Sequence, residues 1–288
     1  MQRPVSSIAD NLFYSTVYIE TKTLDGGQVG TGFLINYPVT AGNIVPVLVT
    51  NKHVLLGAYE AEFRLVRAEG NDPAQGAVKI KYEGFGQDSW LGHPAENVDV
   101  AVMLFAPIWN RMVEINAPGF YRAFSPENLL DQRNSFDLDA IEQVTFLGYP
   151  AGLYDSVSML PIARRGQTAT PIYIDYNGLP AFLIDAAVFP GSSGSPVVIF
   201  DNGLYVARNG AVNLGQSRFF LVGIVAAVHT REISGEISIT TTGSIASFRE
   251  PIGLGIVYKS SAIQECVDIL FANAGVVSEG APSPDALA

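Results

Sequence analysis

Short runs of β-branched and aromatic residues recur along most of the chain, separated by glycine, proline, asparagine and aspartate. This pattern predicts β-strands joined by turns. The runs lie near 13–20, 29–36, 45–51, 61–67, 77–82, 98–105, 142–148, 160–169, 181–186, 195–200, 219–229 and 252–258. An irregular stretch separates the first six from the last six. The pattern therefore predicts an all-β protein built from two halves.

Each half has enough strands to close on itself, and closure removes the exposed sheet edges that promote aggregation. We predict two six-stranded antiparallel β-barrels with a C-terminal α-helix. The predicted domains are an N-terminal barrel (1–110), an inter-barrel connection with a short helix (111–141), a C-terminal barrel with the terminal helix (142–274) and a flexible tail (275–288).

Only two segments have a helical pattern. One begins at Ser125-Pro126-Glu127, where serine is a good N-cap and proline suits the first turn. The other runs from about Ser261 to Ala272 and carries an apolar stripe at helical spacing, which includes Cys266. The polar segment 231–250 is predicted to be a solvated loop.

Composition and charge narrow the function classes. The chain has 28 acidic and 17 basic residues and a net charge of −11, which argues against nucleic acid and anionic membranes as partners, because both bind clustered cations. No apolar run approaches the roughly 20 residues that span a bilayer. The first twenty residues lack a secretory signal pattern. We expect a cytoplasmic protein, or the trimmed form of a precursor.

Candidate metal ligands are scarce. The chain has three histidines and a single cysteine, Cys266, with no H-E-x-x-H and no phosphate-binding glycine loop. We therefore expect no metal and no cofactor.

The strongest local motif is FPGSSGSP at 189–196. Glycines on both sides of Ser193 permit a tight turn that exposes the hydroxyl and directs backbone N–H groups inward. A serine nucleophile needs a base, and the base needs an acid. We expect His53 at the end of one apolar strand and Asp99 within another. Singly, each residue is also compatible with a structural role, but the order His, Asp, Ser matches one known arrangement of the catalytic triad.

With these motifs, the sequence resembles the chymotrypsin-fold (trypsin-like) serine proteases, and more closely the bacterial HtrA-type branch. The matching segments are VTNKHV at 49–54, DVAV at 99–102 and DAAVFPGSSGSP at 185–196. The resemblance implies that Ser193 is the nucleophile, His53 the general base and Asp99 its orienting partner. It also implies an oxyanion hole formed by the N–H groups of Gly191 and Ser193.

The resemblance further implies how a protein or peptide substrate is held. The strand at 226–228 would pair with the extended substrate backbone. The residues expected to contact substrate, in this strand and around the specificity pocket, are Ala187, Val188, Ala226, Ala227, Val228 and Gly255. None is charged, so we expect a small or medium apolar residue before the scissile bond.

The sequence departs from the family pattern in two ways, and alternatives stay open. Ser192 replaces the aspartate of digestive enzymes, and the appended peptide-binding domain of HtrA-type proteases is not seen. An α/β-hydrolase is disfavoured by Ser195, which stands where its motif requires glycine. A latent protease with an activating partner, or an inactive binding module, fits the same residues. The natural substrate and the oligomeric state are not specified.

Overall fold

The computed structural model describes residues 4–39, 42–239 and 242–277. Its α-helices are α1 (Ile8–Leu12), α2 (Lys52–Leu55), α3 (Ala106–Glu114), α4 (Gln132–Ser135) and α5 (Ser260–Ala274). Its strands are β1 (Thr16–Thr23), β2 (Gly26–Val39), β3 (Asn43–Thr50), β4 (Glu60–Glu69), β5 (Asp72–Glu83), β6 (Leu91–Gly92), β7 (Ala101–Leu104), β8 (Gly119–Phe120), β9 (Gln143–Gly148), β10 (Ile162–Thr168), β11 (Ala181–Asp185), β12 (Pro196–Asp201), β13 (Leu204–Val206), β14 (Val212–Leu214), β15 (Arg218–Ile239) and β16 (Thr242–Lys259).

The C-terminal half is the closed six-stranded barrel that the sequence predicts. Its strands follow the order β10, β11, β16, β15, β12, β9, with every neighbouring pair antiparallel. Inward-facing side chains such as Phe146, Phe182 and Val197 fill its core. Alternation of apolar and polar positions along these strands is sufficient to direct one face of each strand inward.

The N-terminal half has a larger sheet than predicted. Eight strands pair in the order β5, β4, β1, β2, β3, β7, β6, and β8 pairs with β4. Within the described residues, β5 and β6 are the two ends of this path. Packing connects these ends, because Trp90, next to β6, lies in the same buried cluster as Ile80 of β5. The predicted strand-rich fold is confirmed, with hydrogen-bonded closure of a six-stranded barrel in the C-terminal half, whereas packing and not hydrogen bonding connects the ends of the N-terminal sheet among the described residues.

The helices show where a long-range contact prevails over local helix propensity. The predicted terminal helix is confirmed as α5, and Cys266 is buried within it. The helix predicted from Ser125 is wrong, because only one 3-10 turn forms, over Pro126–Asn128. The chain then becomes extended, and the N–H of Leu130 donates to the carbonyl of Leu221 in β15 at 3.0 Å. Tertiary pairing therefore ends the helix. Helices α1 to α4 were not predicted.

Segment 231–250 is not a loop but a β-hairpin. Register partners run from Arg231↔Glu250 to Ile239↔Thr242 as the continuation of β15 and β16 beyond the barrel. We call this hairpin, Arg231–Ile239 paired with Thr242–Glu250, the arm. Ile233, Ile237 and Ile239 occupy alternate positions of the first strand, a pattern that suits paired strands, and the polar residues between them do not require a loop.

The two halves share one core. A buried cluster combines Phe33 and Val49 of the N-terminal sheet with Leu221 of the barrel and Ile263 of α5.

The predicted domain limits stay predictions. The limit at 110 falls within α3, and the predicted tail lies outside the described residues from 278 onward. In the part of the chain that is described, no helix has the length and apolarity to cross a membrane.

Candidate active site

His53 is held by Asp99 through two contacts. The imidazole Nδ1 lies 2.5 Å from Oδ2 of Asp99, and the backbone N–H of His53 donates to Oδ1 at 3.1 Å. The side chain of His53 is 45% exposed and that of Asp99 26%. A carboxylate at Nδ1 selects the tautomer with its proton on Nδ1 and leaves Nε2 as a proton acceptor. The sequence placed His53 at a strand end, whereas it lies in α2, just past β3.

The acid lies in a loop and not, as predicted, within a strand. Asp99 precedes β7 by two residues, and neighbouring groups hold its backbone. Nδ2 of the fully buried Asn51 donates to the carbonyl of Asp99 at 2.5 Å, and the Tyr258 hydroxyl donates to the carbonyl of Asn97 at 2.7 Å. Asn51 is also the N-cap residue of α2. It therefore ties the acid to the helix that carries the histidine, a role that its sequence position alone did not indicate.

The serine lies in a tight turn just before β12. Gly191 and Gly194 have φ values of +86° and +88°, a region that residues with a Cβ rarely adopt. A Cβ on Gly194 would lie 1.7 Å from the carbonyl oxygen of Thr31. Oγ of Ser193 donates to the carbonyl of Ala226 at 3.2 Å. The glycines therefore let the loop pack closely against the N-terminal half and place the hydroxyl beside β15.

Two peptide groups in this turn are held by hydrogen bonds to their carbonyls. The carbonyl of Pro190 accepts from the N–H of Ala151 at 2.6 Å, and the carbonyl of Ser192 accepts from Ser195 at 3.0 Å. The C=O and N–H of a trans peptide point in opposite directions. The N–H groups of Gly191 and Ser193 therefore point away from these anchored carbonyls. Neither donates to an acceptor among the described residues.

Thr31 of β2 connects the serine turn to the N-terminal half. Its N–H donates to the carbonyl of Ser193 at 2.8 Å, and its hydroxyl donates to the carbonyl of Gly191 at 2.9 Å. The same hydroxyl accepts from the N–H of Tyr149 at 3.1 Å, and the Thr31 carbonyl accepts from the Thr50 hydroxyl at 2.7 Å. Thr50 ends β3, three residues before the histidine. Thr31 thus brings the serine turn and the histidine strand together, and the sequence analysis missed it.

The predicted pocket residues lie in different environments. Ala187 is exposed, whereas Val188 is buried in the core of the C-terminal barrel. Val188 faces Gly255, where an added Cβ would lie 2.8 Å from a Val188 methyl group. The structure therefore brings Val188 and Gly255 together and leaves Ala187 at the surface.

The predicted substrate strand lies beside the serine. Ala226 is buried, and its carbonyl accepts the hydrogen bond from Ser193. Ala227 and Val228 follow in β15, paired with Ile256 and Gly255. Their side chains lie outside the described part of the structure. Among the described residues, no cluster of three His, Cys, Asp or Glu side chains is placed to hold a metal.

Residues 30–207 match the family model of the trypsin-like peptidase domain. No curated protein matches the chain.

Among solved structures, this chain is similar to the inactive form of Rv3671c from M. tuberculosis, with 17% identity and a TM-score of 0.44. The alignment covers 93% of this chain and 97% of the Rv3671c chain. An HtrA-type protease, AlgW with a tripeptide, has 16% identity and a TM-score of 0.48; the alignment covers 93% of this chain and 64% of AlgW. HL collagenase has 15% identity over 92% of this chain and 95% of its own, with a TM-score of 0.47.

Proposed function

The chain belongs to the trypsin-like peptidase family, a family of serine proteases, and from this premise we propose that it is an endopeptidase acting through His53, Asp99 and Ser193. The observation that carries the proposal is the double contact of Asp99 with His53, through Nδ1 at 2.5 Å and the backbone N–H at 3.1 Å. This arrangement orients a neutral imidazole whose Nε2 accepts a proton.

The chemistry begins with a rotation of the Ser193 side chain. Its hydroxyl leaves the carbonyl of Ala226 and turns towards Nε2 of His53; catalytic hydrogen bonds often form only when substrate is bound. Oγ then attacks the scissile carbonyl while Nε2 takes the proton, and Asp99 stabilises the imidazolium. The same imidazolium protonates the leaving amine. Water attacks the acyl-enzyme in the second half of the reaction, with His53 again as the base.

The oxyanion of the tetrahedral intermediate would bind to the N–H groups of Gly191 and Ser193. Their orientation, opposite to the anchored carbonyls of Pro190 and Ser192, supports this role. One such donor contributes roughly 2.7–4 kcal/mol of transition-state stabilisation.

The substrate would be a protein or peptide in extended conformation, paired with β15 at 226–228. We propose a preference for a small or medium apolar residue before the scissile bond, because the residues expected around the pocket carry no charge. A peptide library with this position randomised tests the preference. Selective cleavage after lysine or arginine would contradict it.

A latent or inactive domain that binds a partner is the second candidate. The observation that favours it is the hydrogen bond from Ser193 to the carbonyl of Ala226, because the hydroxyl then donates to a group other than His53. An activating partner and a cytoplasmic location stay predictions. A single cysteine suits a reducing compartment, and cell fractionation tests the location.

A fluorophosphonate probe separates the two candidates, because it labels a serine only when the triad is assembled. We expect the wild-type protein to be labelled, and Ser193→Ala and His53→Ala to lose labelling by several orders of magnitude. Ser195→Ala is the matched control, since this buried neighbouring hydroxyl has no hydrogen-bond partner in the described structure. A folded wild-type protein that is not labelled would favour the latent or binding function.

A further inference from the structure

One edge of β15 loses its partner at the active site. Up to Ile224, β15 is paired with β12 on one side and with β16 on the other. From Ala226 to Ile239, β16 is its only partner among the described strands. Among the described strands the other edge has no partner along this stretch, and such an edge readily binds another extended chain.

This free edge begins at the nucleophile and continues along the arm. The Ser193 hydroxyl contacts the carbonyl of Ala226, where pairing with β12 has ended. Arg231–Ile239 then extends the same strand beyond the barrel. At about 3.4 Å per residue, this part of the arm adds roughly 30 Å of edge. The edge is therefore continuous with the place where a substrate must lie.

We propose that the arm is an extended substrate-binding edge, so that the protease selects long polypeptides in extended conformation. This inference rests on the proposed function and adds the substrate class. The substrate pairs antiparallel to β15, because antiparallel ladders are the more stable. Residues before the scissile bond then follow the arm. With the residue before that bond beside Ala226, the arm begins about five positions farther, at Arg231.

A substrate fits this edge better than a second copy of the chain. The register of β15 against β16 shifts between Val225 and Ala227, and again between Val228 and Thr230. Both bulges lie at the base of the arm, where they increase strand twist and disfavour flat pairing of this part of the edge with the same edge of another copy. A net charge of −11 on each copy also opposes self-association. A single flexible peptide follows a twisted edge without these costs.

The test uses peptides that share one cleavable sequence and are lengthened from four to twelve residues before the scissile bond. For the wild-type protein we expect kcat/KM to rise about tenfold with length, which corresponds to roughly 1.4 kcal/mol. The comparison enzyme has residues 231–250 replaced by Asn-Gly. This turn joins Thr230 to Pro251, which are register partners. In this variant the ratio of long to short peptide is expected to fall to about one.

Backbone N-methylation then separates main-chain pairing from side-chain contacts. Each peptide carries one N-methyl group, at successive positions six to eleven residues before the scissile bond. Because alternate N–H groups of a strand point to the same side, the losses should alternate along the peptide in the wild-type protein. Uniform losses, or none, would contradict backbone pairing with the arm.

The same peptides are measured for binding to Ser193→Ala by fluorescence anisotropy, which needs no catalysis. Length-dependent affinity without cleavage by the wild-type protein would refute the proposed activity but support the arm as a binding edge for extended peptides. A length effect that persists without the arm, or that requires residues after the scissile bond, would refute the edge. So would a dimer that becomes a monomer when the arm is shortened, because the edge would then be occupied by a second copy.

Discussion

Thr31→Val tests whether the N-terminal half holds the serine turn, with its two proposed oxyanion donors, in place. Valine has nearly the shape of threonine but lacks the hydroxyl. The substitution removes the 2.9 Å hydrogen bond to the carbonyl of Gly191 and the acceptor for the N–H of Tyr149. The backbone contact from the Thr31 N–H to Ser193 stays in place. The lost contact belongs to the Gly191–Ser192 peptide, which lies between the two proposed oxyanion donors.

The magnitude has a stability part and a catalytic part. Each buried polar group left without a partner costs about 1–3 kcal/mol, so the two groups together should lower the free energy of unfolding by roughly 2–6 kcal/mol. Complete loss of one oxyanion donor lowers kcat by about 10²–10³-fold. The 2.6 Å hydrogen bond from Ala151 to Pro190 still anchors the turn. We therefore expect a smaller loss, of about 10–10²-fold.

The assay is the second-order rate of fluorophosphonate labelling, because the phosphoryl oxygen of the adduct would occupy the proposed oxyanion hole and no natural substrate is needed. Thermal unfolding is measured on the same samples. Thr31→Ser keeps a hydroxyl and should label within a few-fold of the wild-type rate. Thr50→Val is the matched control, since it removes a buried hydroxyl that donates to the Thr31 carbonyl at 2.7 Å without contacting Gly191.

We expect the labelling rate of Thr31→Val to fall by about 10–10²-fold. Thr50→Val should lose stability but keep a labelling rate close to that of the wild-type protein. Equal labelling rates in folded Thr31→Val and wild-type protein would show that the turn holds its conformation without this hydroxyl. Equal losses in both variants would show a general effect of destabilisation. Either result would refute the role assigned to Thr31.

Three further predictions concern packing and charge. Gly194→Ala should reduce labelling by at least about 10²-fold, because the new Cβ would lie 1.7 Å from the carbonyl oxygen of Thr31; normal labelling would contradict the described turn. Burial raises the pKa of the Cys266 thiol to about 12, so the thiol is protonated at pH 8 and iodoacetamide should label it only in denaturant. Arg218→Ala should lower the free energy of unfolding in urea by about 3–5 kcal/mol, because it leaves the buried Glu142 without the guanidinium 2.9 Å away.

Local sequence was enough to predict residues with an unusual backbone conformation and to select candidates for a catalytic side chain. The glycines around Ser193 mark a turn that only glycine adopts easily, and their φ values of +86° and +88° agree with this expectation. The order of His53, Asp99 and Ser193 indicated a triad, and the structure places the first two in contact. Such features depend on one residue and its immediate neighbours.

Local pattern failed where distant segments compete for the same backbone. The turn at Pro126 has good helix-start chemistry, yet the following residues pair with β15. His53 and Asp99 were both assigned to strands, but the hydrogen bonds around Asn51 favour a short helix and a loop. In each case a long-range hydrogen bond outweighs a preference of about 1 kcal/mol.

The sequence by itself determined the strand-rich architecture, the apolar helix at the C-terminus and the identities of the candidate catalytic residues. These follow from periodicity and from chemistry that only a few side chains provide. Tertiary structure alone decided which residues support them. Thr31 contacts Gly191 across 160 positions, and Asn51 contacts Asp99 across 48. A threonine or asparagine has no sequence pattern that reveals such a partner, because the hydrogen bond exists only after both halves have packed.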